Sequence, residues 1–141
     1  MEWNEDFLTG IPEVDAQHRG LLWIASKVLQ RASEGTVPSG VSSAIGSLAR
    51  SFAIHFDLEE SLMQLHQYPQ FREHCLEHRQ FLEKLKALYQ QSKENPISAE
   101  MITLGTEWLY GHIVAFDKEM ASFLEAKGAV SKPGIERWHG N

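Results

Sequence analysis

The chain has 141 residues, enough for one domain that buries a core without disulfide staples. Hydrophobic residues at 43% and charged residues at 23% exclude a disordered or low-complexity chain. A formal charge of −6, with no Lys/Arg cluster, argues against nucleic acid and against an anionic membrane surface as partners. The single cysteine, Cys75, allows no intrachain disulfide and asks for no oxidising compartment. No run approaches the roughly 18 apolar residues of a membrane span, and the acidic start Met1-Glu2-Trp3-Asn4-Glu5-Asp6 is unlike a secretory leader. A cytoplasmic location is the expectation.

Residues 1–14 read as an arm carrying Trp3, Phe7 and Ile11-Pro12. A helical period follows, with Asp15 as its N-cap and His18, Leu21, Leu22, Ala25, Val28, Leu29 and Ala32 recurring at three and four. Gly35 should end it, before a loop at Pro38-Ser39-Gly40. The second helix places Val41, Ile45, Leu48, Phe52, His55, Phe56, Glu59, Leu62 and Met63 on one stripe and stops at Tyr68-Pro69. The third starts there, with Pro69 in its first turn and a stripe of Phe71, His74, Cys75, His78, Phe81, Leu82, Leu85 and Tyr89. Ser92 to Pro96 is the next break, and Ser98 can cap a fourth helix. There Met101, Leu104, Trp108, His112, Ala115 and Glu119 share one face, beside a row of Ile113, Phe116, Asp117, Met120 and Leu124. Gly128 ends it. The predicted fold is all-α: an antiparallel up-down-up-down four-helix bundle over 15–127, with the N-terminal arm 1–14 and a C-terminal tail 128–141.

The stripes carry polar residues where a core should be apolar. His55/Glu59 and His74/His78 are pairs four apart, each one above the other on an inward face. His18 opens the row of the first helix, and His112 and Asp117 sit in the two rows of the fourth. An unsatisfied buried polar group costs about 1–3 kcal/mol and an unpaired charge more, so bound cations are the simplest common solution. Five imidazoles and two carboxylates are too many for one tetrahedral zinc. Two octahedral ions offer about twelve places; two bridging carboxylates, five imidazoles and an oxo or hydroxo bridge leave about one open. With two ferrous ions that set carries a net charge of about +1, a tolerable burial. Imidazole with carboxylate suits iron, and bundle cores are a recurrent site for iron pairs. His112 and Asp117 are five apart, which on a regular helix separates them widely; either they reach the centre from two sides or the helix is locally distorted.

The string His55-Phe56-Asp57-Leu58-Glu59-Glu60, followed by Met63, Tyr68-Pro69, His74, His78 and Phe81, resembles the central signature of the hemerythrin family. Gly10-Ile11 with Asp15-Ala16-Gln17-His18 resembles the start of its first helix, and Trp108-Leu109-Tyr110-Gly111-His112-Ile113 with Asp117 its last motif. The resemblance covers roughly residues 3–124. It implies a non-haem di-iron site with an oxo/hydroxo bridge that binds O2 reversibly, for carriage, storage or delivery. His74, His78 and His112 would hold the filled iron and His18 and His55 the iron with the open place. Glu59 and Asp117 would bridge them. No catalytic residue is implied, and Leu22, Phe56, Trp108 and Leu109 would wall a dry O2 pocket.

Two other functions use the same centre: an O2- or redox-sensing module with the tail as its handle, and a peroxide or nitric oxide reductase. His74-Cys75-Leu76-Glu77-His78 also fits the pattern of inverted zinc peptidases, but that leaves five polar core residues unexplained. Ferritin-like oxidases need Glu-x-x-His on two bundle helices, and the one such string, Glu136-Arg137-Trp138-His139, lies in the tail. Off the stripes, His66 and His139 read as solvated, Glu77 as exposed, Glu60 as solvated or standing behind the site, and Cys75 as apolar filler.

Overall fold

The computed structural model describes residues 5–34 and 38–128. Trp3, Gly35 and the tail from 129, with Trp138 and His139, lie outside the described residues. A short 3-10 turn, Glu5–Phe7, leads to α1 (Pro12–Ser33), α2 (Pro38–Leu65) and α3 (Phe71–Glu94). The fourth rod of the bundle is built in three pieces: α4 (Ala99–His112), a π-helical turn (Ile113–Asp117) and α5 (Lys118–Ala126). The described residues are helical with no strand. In the antiparallel bundle α2 packs on α1 and α3, and α1 packs on α4.

Several boundaries differ from expectation. The first helix starts at Pro12, whose missing N–H is no loss in a first turn. Asp15 is therefore inside the helix and is not its N-cap; Ile11 holds that place without a side-chain bond. The Asp15 carboxylate turns back on the arm instead. It accepts from the Thr9 N–H at 2.9 Å, the Thr9 hydroxyl at 2.8 Å and the Gly10 N–H at 3.3 Å. Gly10 bends the chain there with φ +90°, a conformation that favours glycine. Pro38 opens α2 rather than a loop, again as a tolerated first-turn proline. Between α2 and α3, Gln67 adopts φ 56° and the Tyr68 N–H reaches the Met63 carbonyl at 2.9 Å, so the turn closes before Pro69 and α3 waits until Phe71. At its far end α3 runs on through the buried Ser92, past the expected break, and Ser98 caps α4 by accepting from the Met101 N–H at 3.2 Å.

On the fourth rod the expected row of Ile113, Asp117, Met120 and Leu124 is buried, and the row beside it departs from expectation. Met101, Leu104, Ala115 and Glu119 are exposed, while Thr106, Leu109, Ile113, Met120, Ala121 and Leu124 are buried. The inward row runs one position on from Trp108 and His112, through Leu109 and Ile113.

The core divides in two. A large cluster includes Leu21, Leu22, Val28, Ile45, Phe52, Phe56, Phe81, Leu109 and Ile113. A smaller one gathers Ile11, Val14, Met63, Tyr68, Met120, Ala121 and Leu124. Buried polar residues mark the junction: His18 lies between Val14 and Leu21, Glu59 between Phe56 and Met63, and Asp117 between Ile113 and Met120. Asp15 ties the arm over the smaller cluster. Replacing it by alanine strands the buried Thr9 donors, and Asp15→Ala should lower unfolding stability by about 2 kcal/mol, read as a shift in denaturation midpoint at unchanged slope.

Candidate metal centre

The structure brings all seven polar stripe residues together. His18 from α1, His55 and Glu59 from α2, His74 and His78 from α3, and His112 and Asp117 from the fourth rod are each at most 3% exposed. Their ring nitrogens and carboxylate oxygens form two donor groups. Glu59, His74, His78, His112 and Asp117 make one, and His18, His55, Glu59 and Asp117 make the other; within each group the atoms lie within 4.8 Å of one another. Both carboxylates belong to both groups.

The π turn explains how Asp117 arrives. The Lys118 N–H bonds to the Ile113 carbonyl, five residues back. Five residues thus close one wide turn, and His112 and Asp117 come to one face as a four-apart pair would on a regular helix. Of the two alternatives left open by the spacing, the local distortion is the one adopted.

The short contacts have an unusual quality. His18 Nε2 lies 2.9 Å from Asp117 Oδ2, His55 Nε2 2.6 Å from Glu59 Oε2, His78 Nε2 3.0 Å from Glu59 Oε1 and His112 Nε2 3.1 Å from Asp117 Oδ1. Yet these pairs lack hydrogen-bond geometry; Glu59 Oε1 bonds with His74 Nε2 at 3.2 Å, and ten other buried side-chain nitrogens and oxygens of the cluster have no partner. The Nε2 and carboxylate oxygen atoms draw together without pairing off, as ligand atoms do around a shared cation. At about 1–3 kcal/mol each, ten such atoms would exceed the roughly 5–15 kcal/mol stability of a whole domain. The cluster must therefore be relieved by protons or by cations, and neutral imidazoles with carboxylates are a donor set that fits iron.

Without metal, protons do it. Burial pushes the His18 imidazole down, but Asp117 and Glu59 beside it outweigh burial and raise it to about 9. His74 is likewise opposed by burial and lifted by the same carboxylates to about 9. Burial pushes Glu59 up, and the surrounding histidines, His55 foremost, bring it well below the ordinary carboxylate range. Asp117 is raised by burial and by Glu59, and held low by His112 and His18 more strongly.

Aromatic rings fix the imidazole planes. Phe56 stacks on His78 at 3.7 Å between centroids. His112 is held between Trp108 at 4.8 Å and Phe116 at 5.3 Å, both nearly parallel to it. Trp108 also stacks on Phe81 at 4.1 Å. Of the expected pocket residues, Leu22, Phe56 and Leu109 are buried and Trp108 is half-buried, all in or against the larger apolar cluster.

Other side chains stand behind the rings. His55 Nδ1 donates to Gln17 Oε1 at 2.6 Å and His78 Nδ1 to Glu60 Oε2 at 2.8 Å. Glu77, expected in solvent, is only partly exposed, with Oε1 3.7 Å from His112 Nδ1. The Gln17, Glu77 and Phe116 contacts were not anticipated. Gln17 precedes a core histidine, which is a usable signal; the Glu77–His112 approach crosses helices and leaves no local trace. His66 is partly exposed and belongs to neither group. Cys75 is a free, half-buried thiol packed against the smaller cluster, pushed up to about 11 by burial and by Glu60.

A four-helix bundle with two donor groups sharing two carboxylates at mid-height is a protein built around a pair of cations. The hemerythrin HHE cation binding domain matches residues 9–124. The chain is 32% identical over 132 residues to a bacteriohemerythrin of Stenotrophomonas maltophilia (strain R551-3), covering 88% of this chain and 81% of that one. It is 31% identical to hemerythrin subunit alpha of Lingula reevii, covering 82% of this chain and 87% of the other. A crystal structure of wild-type hemerythrin superposes with a TM-score of 0.81 at 25% identity, covering 86% of this chain and 95% of that one. The chain belongs to the hemerythrin family, whose members bind O2 at a di-iron centre.

The proton relief has a testable sign. A histidine raised on folding stabilises fully below its unfolded value of 6.5 and loses this as pH rises toward about 9. A depressed carboxylate stabilises above its unfolded value of 4.5 and loses this as pH falls. Chelator-stripped protein should therefore be most stable between 4.5 and 6.5. Thermal melts should give a higher midpoint at about pH 5.5 than at about pH 9; the reverse order would contradict the assignment.

Proposed function

We propose that the chain binds O2 reversibly at an iron pair and carries, stores or delivers it within the cytoplasm. His74, His78 and His112 would hold one iron, His18 and His55 the other, with Glu59 and Asp117 shared between them. The observation that carries this reading is the inequality of the two donor groups, five residues against four around the same two carboxylates. With equal coordination numbers, the four-residue position would leave a place for a small ligand. The iron pair, when bound, supplies the redox chemistry that holds and releases O2.

The chain's own residues do the rest. Glu59 and Asp117 bring negative charge to a site that excludes water, and the imidazoles bind only as neutral rings, so acid competes with metal. Leu22, Phe56, Trp108 and Leu109 wall the O2 pocket and keep out water and protons that would leave the irons oxidised. Among the described residues no helix is long and apolar enough to cross a membrane.

Protein loaded anaerobically should hold about two irons per chain and show an absorption change on admitting air that argon reverses. Two irons with no reversible change would overturn the proposal. Leu109→Ala should retain iron but oxidise irreversibly faster in air, followed as decay of the oxygenated spectrum. An unchanged rate would remove Leu109 from the pocket.

A further inference from the structure

The two donor groups also differ in what stands behind their imidazoles. His55, His78 and His112 all direct Nε2 at the bridging carboxylates, so Nδ1 carries the proton and faces outward. Behind His78, Glu60 accepts that proton's hydrogen bond at 2.8 Å. Behind His112, the Glu77 carboxylate lies 3.7 Å away. Behind His55 stands a neutral amide, Gln17, at 2.6 Å. The five-residue group is thus backed by two carboxylates and the four-residue group by none of these. Glu60 and Glu77 are 34% and 29% exposed, so each stands at the rim with part of its hydration intact.

We propose that Glu60 is a positioning residue that, through His78, makes the iron of the five-residue group the more easily oxidised of the pair. A carboxylate on Nδ1–H locks the tautomer and ring plane and strengthens Nε2 as a donor, which favours the more highly charged metal. Gln17 locks His55 in the same way without adding charge, so the other iron would be oxidised less readily. The proposal rests on the iron-pair reading above. A packing role for Glu60 between α2 and α3 would stabilise the fold without altering any redox equilibrium, which makes the two separable.

The test uses the full chain loaded with ferrous iron without air and titrated with a one-electron mediator, each iron giving up one electron to it. Iron content and thermal midpoint are measured alongside. Glu60→Gln keeps the hydrogen-bond acceptor and removes the charge. It should retain about two irons and a near-native melt, yet shift the first ferric-to-ferrous equilibrium about tenfold toward ferrous, about 59 mV for a one-electron couple. Gln17→Glu should lower the second midpoint and narrow the gap between the two. An unchanged first midpoint in iron-loaded Glu60→Gln overturns the proposal. Should that variant shed iron, an unchanged second midpoint in Gln17→Glu overturns it instead. Wild-type protein that takes up no iron pair, by contrast, sinks the O2 reading itself.

Discussion

Ten buried nitrogens and oxygens without a hydrogen-bond partner govern this molecule. They sit between two apolar clusters, so water cannot relieve them. The rods must then deliver every donor atom to a common point, and the local irregularities follow from that demand. The π turn at Ile113–Asp117 gives up regular α-helical bonding to bring Asp117 beside His112. Phe56, Trp108 and Phe116 lie flat on imidazoles whose planes would otherwise be free to turn. Metal-binding energy is folding energy in such a core, since the unfolded chain offers no site.

What could be read from the chain follows the same physics. Pairs four apart, His55/Glu59 and His74/His78, announce their common face because helical geometry is local. Their convergence could be argued without coordinates because burying either pair alone is prohibitive. The distance of five between His112 and Asp117 was legible as an anomaly but not as an answer. A helix distorts there only because tertiary constraints reward it. The exposed Met101 and Leu104 differ from expectation for a related reason: a row drawn through His112 misses the centre of the buried face, which Leu109 and the second expected row through Ile113 mark.

Helix starts were the other weak point. Asp15 has the chemistry of an N-cap, and the structure uses that chemistry, but on the Thr9 and Gly10 donors of the arm rather than on its own helix. Proline at Pro12 and Pro38 punctuates the chain either as a breaker or as a first-turn residue, and propensity alone does not choose. Contacts made across helices, such as Glu77 beside His112, have no sequence period at all.

His78 and His112 consequently meet two kinds of neighbour. Aromatic side chains pack to their ring faces. Glu60 and Glu77 reach their Nδ1 edges from a partly wet rim. A centre sealed on every side would have to bury its compensating charge entirely, at several kcal/mol per ion. Setting the carboxylates at the rim lets them act on His78 and His112 through a hydrogen bond or at short range while water still solvates them. The bundle can then keep its interior dry around a charged pair, because part of the electrostatic balance is struck outside it.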